Sequence, residues 1–209
     1  MSGSDGRCFP MTQSHHLRSG AAGFTALELL LAAAIAVTIL ALSIPSGAGA
    51  LDHIRTAMAA RYLQGRIMDA RLEAIRRSTR VGLRFEAQDG DYGLAQYLDG
   101  NGNGIRTTDI AAGVDREMVE RHRLRDQFPG ASFGLLAETP DVDGAVSSSG
   151  DGVRVGASRI LTLAPDGTAT PGTLYVHGRR AQFAVRVLGA TGRTRLLHYD
   201  AGGRRWVLR

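Results

Sequence analysis

The sequence predicts an α+β chain in which one long N-terminal helix, apolar in its first half and amphipathic in its second, packs on an antiparallel β-rich head. Three observations carry this prediction. An uncharged run extends from Leu29 to Ile44, a helical apolar period with interspersed arginines follows to Arg80, and beyond it the period falls to two, broken by Gly-rich turns. The 209 residues hold one domain and an appendage. A hydrophobic share of 44% excludes wholesale disorder. The lone Cys8 excludes an internal disulfide framework and a cysteine zinc site. The net charge is +5, and all 25 basic residues are arginine, whose planar forks suit phosphate and carboxylate partners.

Residues 1–22 are polar and weakly basic (Arg7, His15, His16, Arg18). Phe24 to Pro45 makes roughly 33 Å of helix at about 1.5 Å per residue, enough for a hydrocarbon core about 30 Å thick. Pro45-Ser46-Gly47-Ala48-Gly49 should break or kink it. Leu51, Ile54, Met58, Tyr62, Ile67, Ala70, Ala74 and Ile75 then form the expected apolar face, and Arg55, Arg61, Arg66, Arg71, Arg76 and Arg77, with Asp52, the expected solvated face. Strands are expected at 81–85, 92–97, 160–163, 173–176, 182–187, 195–199 and 205–208. The turns are Asp89-Gly90, Pro165-Asp166-Gly167, Gly189 to Gly192 and Gly202-Gly203. Residues 139–152 read as a mobile loop, with Asp141, Asp143 and Asp151 as solvated turn residues.

Two processing events fit the N-terminus. A secretory signal cut after Ala48-Gly49-Ala50 would be 50 residues long, beyond the usual span of about 15–30, and would set Glu28 against its apolar core. A cut between Gly23 and Phe24 keeps the helix. The segment Gly23-Phe24-Thr25-Ala26-Leu27-Glu28-Leu29-Leu30 resembles the class III signal of type IV pilins and pseudopilins: a small residue before the cut, Phe after it, an acid at the fifth mature position and a long apolar run. A start at Met11 would shorten the leader to a length that suits the family better. An acid in hydrocarbon costs on the order of 3 kcal/mol. In a filament of parallel helices, the new amine at Phe24 can pair with Glu28 of a neighbour and set the register.

The rest of the chain is similar to GspH/FimT-type minor pseudopilins. The likeness rests on the helix end Ala70-Arg71-Leu72-Glu73-Ala74-Ile75-Arg76-Arg77, the segment Leu161 to Tyr175 and the final Gly-Arg-bearing strands. That resemblance implies a leader at 1–23, a transmembrane segment at 24–45, an amphipathic helix at 46–80 and a periplasmic β-rich head at 81–209. It implies cleavage and N-methylation at Gly23-Phe24 by prepilin peptidase, and Glu28 as the assembly register. It also implies inner-membrane lipid and other pseudopilins or pilins as partners. The expected role is a structural subunit of a type II secretion pseudopilus or type IV pilus, with no required cofactor and no catalysis.

Two constellations suggest binding. Asp99, Asn101 and Asn103 alternate oxygens ahead of Gly104, and the Ile105 carbonyl, Thr107 and Asp109 extend the pattern, a candidate calcium loop in which Ile110 holds the place of the closing acid. A Gly/Asn-rich turn that needs no ion accounts for the same residues. Arg179, Arg180, Arg193, Arg195, Arg204, Arg205 and Arg209, interleaved with Tyr175, Tyr199 and Trp206, suggest a phosphate-tracking patch. FimT-type relatives include DNA receptors with a C-terminal Gly-Arg motif. Gly203-Arg204-Arg205-Trp206 is the nearest match, with Trp206 in the place of a second spaced arginine. A solvated basic edge or a docking face for an acidic subunit accounts for the same charges. His53, His122, His177 and His198 show no metal-ligand spacing, and no nucleophile-elbow or phosphate-loop motif occurs.

Overall fold

The computed structural model describes residues 25–145 and 150–209, with the backbone alone for 40–47. The leader, Gly23 and Phe24 lie outside the described residues. Helix α1 (Ala26–Arg77) opens with the Thr25 hydroxyl accepting the Glu28 amide at 3.3 Å. It stays helical through Pro45 to Gly49, so the expected break does not occur. A proline removes one donor, and the flanking hydrogen bonds keep the helical trace. The helix ends where Ser78 turns left-handed and the Thr79 amide bonds back to the Ala74 carbonyl at 3.2 Å. The chain forms two compact units, residues 1–43 and 44–209. The described residues of the first, from 25 to 39, are exposed throughout.

The second unit holds two antiparallel sheets. Strands β1 (Val81–Gln88), β2 (Asp91–Leu98), β3 (Arg116–Arg123) and β6 (Ile160–Leu163) make the first, in the order β3-β2-β1-β6. The second runs β10-β9-β8-β7 through β7 (Gly172–His177), β8 (Gln182–Val187), β9 (Thr194–Asp200) and β10 (Arg205–Leu208). The far edge of β7 is shared by β4 (Ser132–Phe133) and β5 (Val153–Val155). Short helices α2 (Thr107–Ala111) and α3 (Leu124–Gln127) flank β3. The seven expected strands are present, slightly extended, while β3, β4 and β5 were not anticipated. Asp89 and Gly90 both take positive φ between Gln88 and Asp91, which makes the tight β1–β2 hairpin.

The core joins Ala60, Leu63, Ile67, Ala70 and Ala74 of α1 to Leu83, Leu161 and Leu163 of one sheet and Leu174, Val176 and Val185 of the other. Among the described residues every buried hydrophobic lies between Ala57 and Leu196, so residues 44–209 carry their own core. Polar ties also reach both sheets. Tyr62 meets His122 at 2.9 Å and Arg66 donates to Gln96 at 2.9 Å on the first sheet, and Gln64 donates to Thr194 at 3.1 Å on the second.

The expected apolar face of α1 is corrected. Leu51, Ile54, Met58 and Ile75 are exposed, whereas Ile67, Ala70 and Ala74 of the same set are buried. The arginine face is corrected too, since Arg66 and Arg71 are half-buried with enclosed Nε atoms. Small alanines let the helix lie close to the sheets, and the larger apolar residues are left outside. We therefore expect Leu63→Ala, which opens a fully buried site, to cost about 2–5 kcal/mol in urea unfolding of residues 44–209. Leu72→Ala, 56% exposed and about two and a half turns away, should shift it by less than about 0.5 kcal/mol.

Candidate assembly surface

The exposed apolar residues of α1 are ordered. Leu51, Ile54, Met58, Met68, Leu72 and Ile75 stand on one face, with Arg61 and Gly65 completing a strict alternation of three- and four-residue steps. That is the spacing of a helix–helix seam. At Gly65 an added Cβ would meet nothing within 4 Å, so the middle of the seam is open to close approach. The sequence holds two apolar stripes on opposite sides of one helix. Separating the alanine-rich from the Leu/Ile/Met positions would have revealed the outer one.

In the first unit Leu27, Leu29, Leu30, Leu31, Ile35, Val37 and Ile39 are all more than half exposed. Glu28 is exposed in the first turn among them, where the helix dipole favours an acid. Among the described residues no helix is long and apolar enough to cross a membrane. The expected span, 24–45, includes Phe24 and the side chains of 40–45, which lie outside the described residues.

The candidate calcium loop is closed by its own donors. Asp99, buried, accepts the amides of Asn101 (3.2 Å), Gly102 (2.7 Å) and Gly104 (2.8 Å). The Asn101 and Asn103 side-chain amides both donate to Asp109 Oδ2, at 3.3 and 2.9 Å, and hold its carboxyl below its usual range. Buried Asp115, which the sequence did not single out, accepts from Gly100 and Arg106. Ile105 is buried with Ala95, Tyr97 and Ile160, which makes its side chain a plug over the outer face of the first sheet; Thr107 begins α2. Among the described residues no three His, Cys, Asp or Glu side chains gather as a metal group.

The arginines do not form one patch. Arg179 and Arg180 lie on the β7–β8 turn and Arg204 on the β9–β10 turn, at one end of the second sheet, with Arg205 opposite Asp200 beside them. Arg193 and Arg195 lie at the other end, where the Arg209 amide bonds the Leu196 carbonyl. Antiparallel connection alternates the ends at which turns fall, which sequence proximity hides. The aromatic residues are packed together, with Trp206 ring centroids 5.8 Å from Tyr175 and 5.3 Å from Tyr199. The Trp206 Nε1 donates to the Pro140 carbonyl and the Tyr175 hydroxyl accepts the Val142 amide.

Of the acids of the 139–152 segment expected to be solvated, Asp141 and Asp151 are ties, while Asp143 is exposed on its turn as expected. Asp141 is buried, accepts the amides of Asp143 and Ala145, and bonds Arg154. Asp151 binds Tyr92, Arg159 and the Val153 amide, and Asp143 pairs with Arg186 at 2.7 Å. Residues 146–149 lie outside the described residues.

A family model described as type II transport protein GspH matches residues 59–192, a span that holds the second part of α1, the whole first sheet and the second sheet as far as β8. The chain belongs to the GspH family. A solved structure of the minor pseudopilin EpsH from the Type 2 Secretion System of Vibrio cholerae is similar at 17% identity and a TM-score of 0.43, covering 69% of this chain and 97% of that one. No curated protein matches the chain.

One histidine of the GspH-family head is packed where its charged form is disfavoured. Burial lowers the His198 pKa below its ordinary 6.5, and the nearby His53 and Arg209 charges add to this. The His53 and His198 rings meet at 4.8 Å between α1 and β9. A depressed histidine pKa means that the unfolded chain binds the proton first, so stability falls as pH drops below about 6.5. Urea midpoints of residues 44–209 should decline from pH 7.5 to 5, and His198→Gln should flatten that decline. Gly65→Leu should leave the isolated head folded, stabilised by up to about 1 kcal/mol through helix propensity, while blocking close approach at the seam.

Proposed function

We propose that this GspH-family chain is a minor pseudopilin of a type II secretion system. It is cut between Gly23 and Phe24, methylated at the Phe24 amine, and held in the inner membrane by residues 24–45 with its head in the periplasm. It then joins other pseudopilins in a filament, with Glu28 setting the register. The observation that carries the reading is the two-sided α1, whose inner face is committed to the head while Leu51, Ile54, Met58, Met68, Leu72 and Ile75 lie open along the outer seam. A face of this kind is matched to neighbouring helices.

DNA capture through the C-terminal arginines, the FimT-like alternative, draws less support from an arrangement that divides those arginines between two sheet ends. Calcium at Asp99, Asn101, Asn103 and Asp109 is a separate proposal. A thermal shift with calcium against chelator would support it, and identical curves would remove it.

Met68→Arg and Leu72→Arg should reduce secretion or filament incorporation about tenfold or more, with thermal unfolding of residues 44–209 unchanged. Intact-mass analysis of the protein from its native membrane should give a chain that begins with N-methylated Phe24. A mature chain beginning at Leu51 would contradict the retained anchor, and full incorporation of both arginine variants would contradict the seam.

A further inference from the structure

The β7–β8 turn is clamped to α1 by a single carboxylate. Asp52 Oδ1 accepts the Arg179 amide at 2.8 Å, and Oδ2 accepts those of Arg180 and Ala181 at 2.9 and 3.1 Å. The turn sits so close that a Cβ at Gly178 would collide with Asp52 and Thr56. The clamp is made by backbone amides, and the Arg179 charge adds to the hold on the Asp52 carboxyl. Arg179, Arg180 and Arg55 are exposed, and none forms a side-chain hydrogen bond or ion pair among the described residues. Elsewhere on the head Arg84, Arg121, Arg123, Arg125, Arg154 and Arg159 are ion-paired.

Two shallow hollows of about 350 and 310 Å³ lie at this turn. Ala48, Asp52 and Arg179 line both, Arg55 and the exposed Leu51 line one, and Arg180 lines the other. Exposed guanidinium groups beside an apolar rim are the chemistry that takes an anionic phospholipid surface: planar forks grip the phosphate while short apolar side chains reach the glycerol level. The turn docks on α1 eight residues after Ile44, where the uncharged run ends.

We infer that Arg55, Arg179 and Arg180 form a membrane-surface contact, which holds the head against anionic phospholipid before assembly. The inference rests on the inner-membrane reading above. It places a second, electrostatic membrane contact on the head, independent of the apolar anchor.

The test uses residues 44–209, which carry their own core and lack the apolar run, so binding here does not depend on the anchor reading. Co-sedimentation is measured with phosphatidylcholine vesicles, alone and with phosphatidylglycerol, over a salt series. A double-stranded oligonucleotide and inorganic phosphate serve as competitors. Binding should require phosphatidylglycerol and fall with salt. Arg179→Gln/Arg180→Gln, which keeps the backbone amides and sets no like charge beside Asp52, should weaken it tenfold or more, and Arg193→Gln/Arg195→Gln at the opposite sheet end less than twofold. Equal losses in the two variants, or no preference for phosphatidylglycerol at low salt, would overturn the assignment. Displacement by oligonucleotide well below the vesicle phosphate concentration would assign the cluster to nucleic acid instead, and displacement by millimolar phosphate alone to a free anion.

Discussion

The structure depends on how little volume the inner face of α1 occupies. Ala60, Ala70 and Ala74 bring the helix backbone close to two sheets at once, and Leu63 and Ile67 fill the space between them. Larger residues on that face would overpack a core whose density leaves no room for added methylenes. The bulky Leu, Ile and Met residues are therefore displaced to the far side, where about half of each side chain stays exposed. The same constraint builds the core and creates the exposed seam.

Polar clamps extend this logic. Asp52 gathers three amides of the β7–β8 turn, and Asp99 gathers three within its own loop. Asp141 and Asp151 fasten the segment that joins β4 to β5. Burial alone would raise the Asp52, Asp141 and Asp151 carboxyl pKa values, yet all three lie below the usual carboxylate range because amide donors and arginines outweigh it. These clamps hold turns, so side chains on the turns, Arg179 and Arg180 among them, stay available to partners.

Much of the fold was legible in the sequence where chemistry is local. Alternation between Asp91 and Leu98, or Gln182 and Val187, reports a strand directly, and Asp89-Gly90 specifies its hairpin. Strand β3 reads Arg-Glu-Met-Val-Glu-Arg-His-Arg, a charged edge strand whose polarity masks its pairing. Strands β4 and β5, of two and three residues, exist through β7 and have no pattern of their own. The acids at 141 and 151 looked solvated because their arginine partners are fixed only by the tertiary fold. The outer seam was present in the sequence but merged with the inner face, since both recur every three to four residues. The basic residues grouped by sequence divide between sheet ends for the topological reason that consecutive hairpin turns alternate. The anchor and the cleavage site were read from Gly23, Phe24 and Glu28, of which the structure describes Glu28 alone.

The most direct test of the two-sided helix is chemical access to its outer face. The native Cys8 lies ahead of the expected cut, so a cysteine placed at Leu72 gives an unambiguous maleimide signal. Labelling should be fast in isolated residues 44–209, where this position is 56% exposed, and strongly protected in the assembled filament in its native membrane. Equal labelling rates in the two states would contradict the account, because the seam would then have no partner helix to cover it.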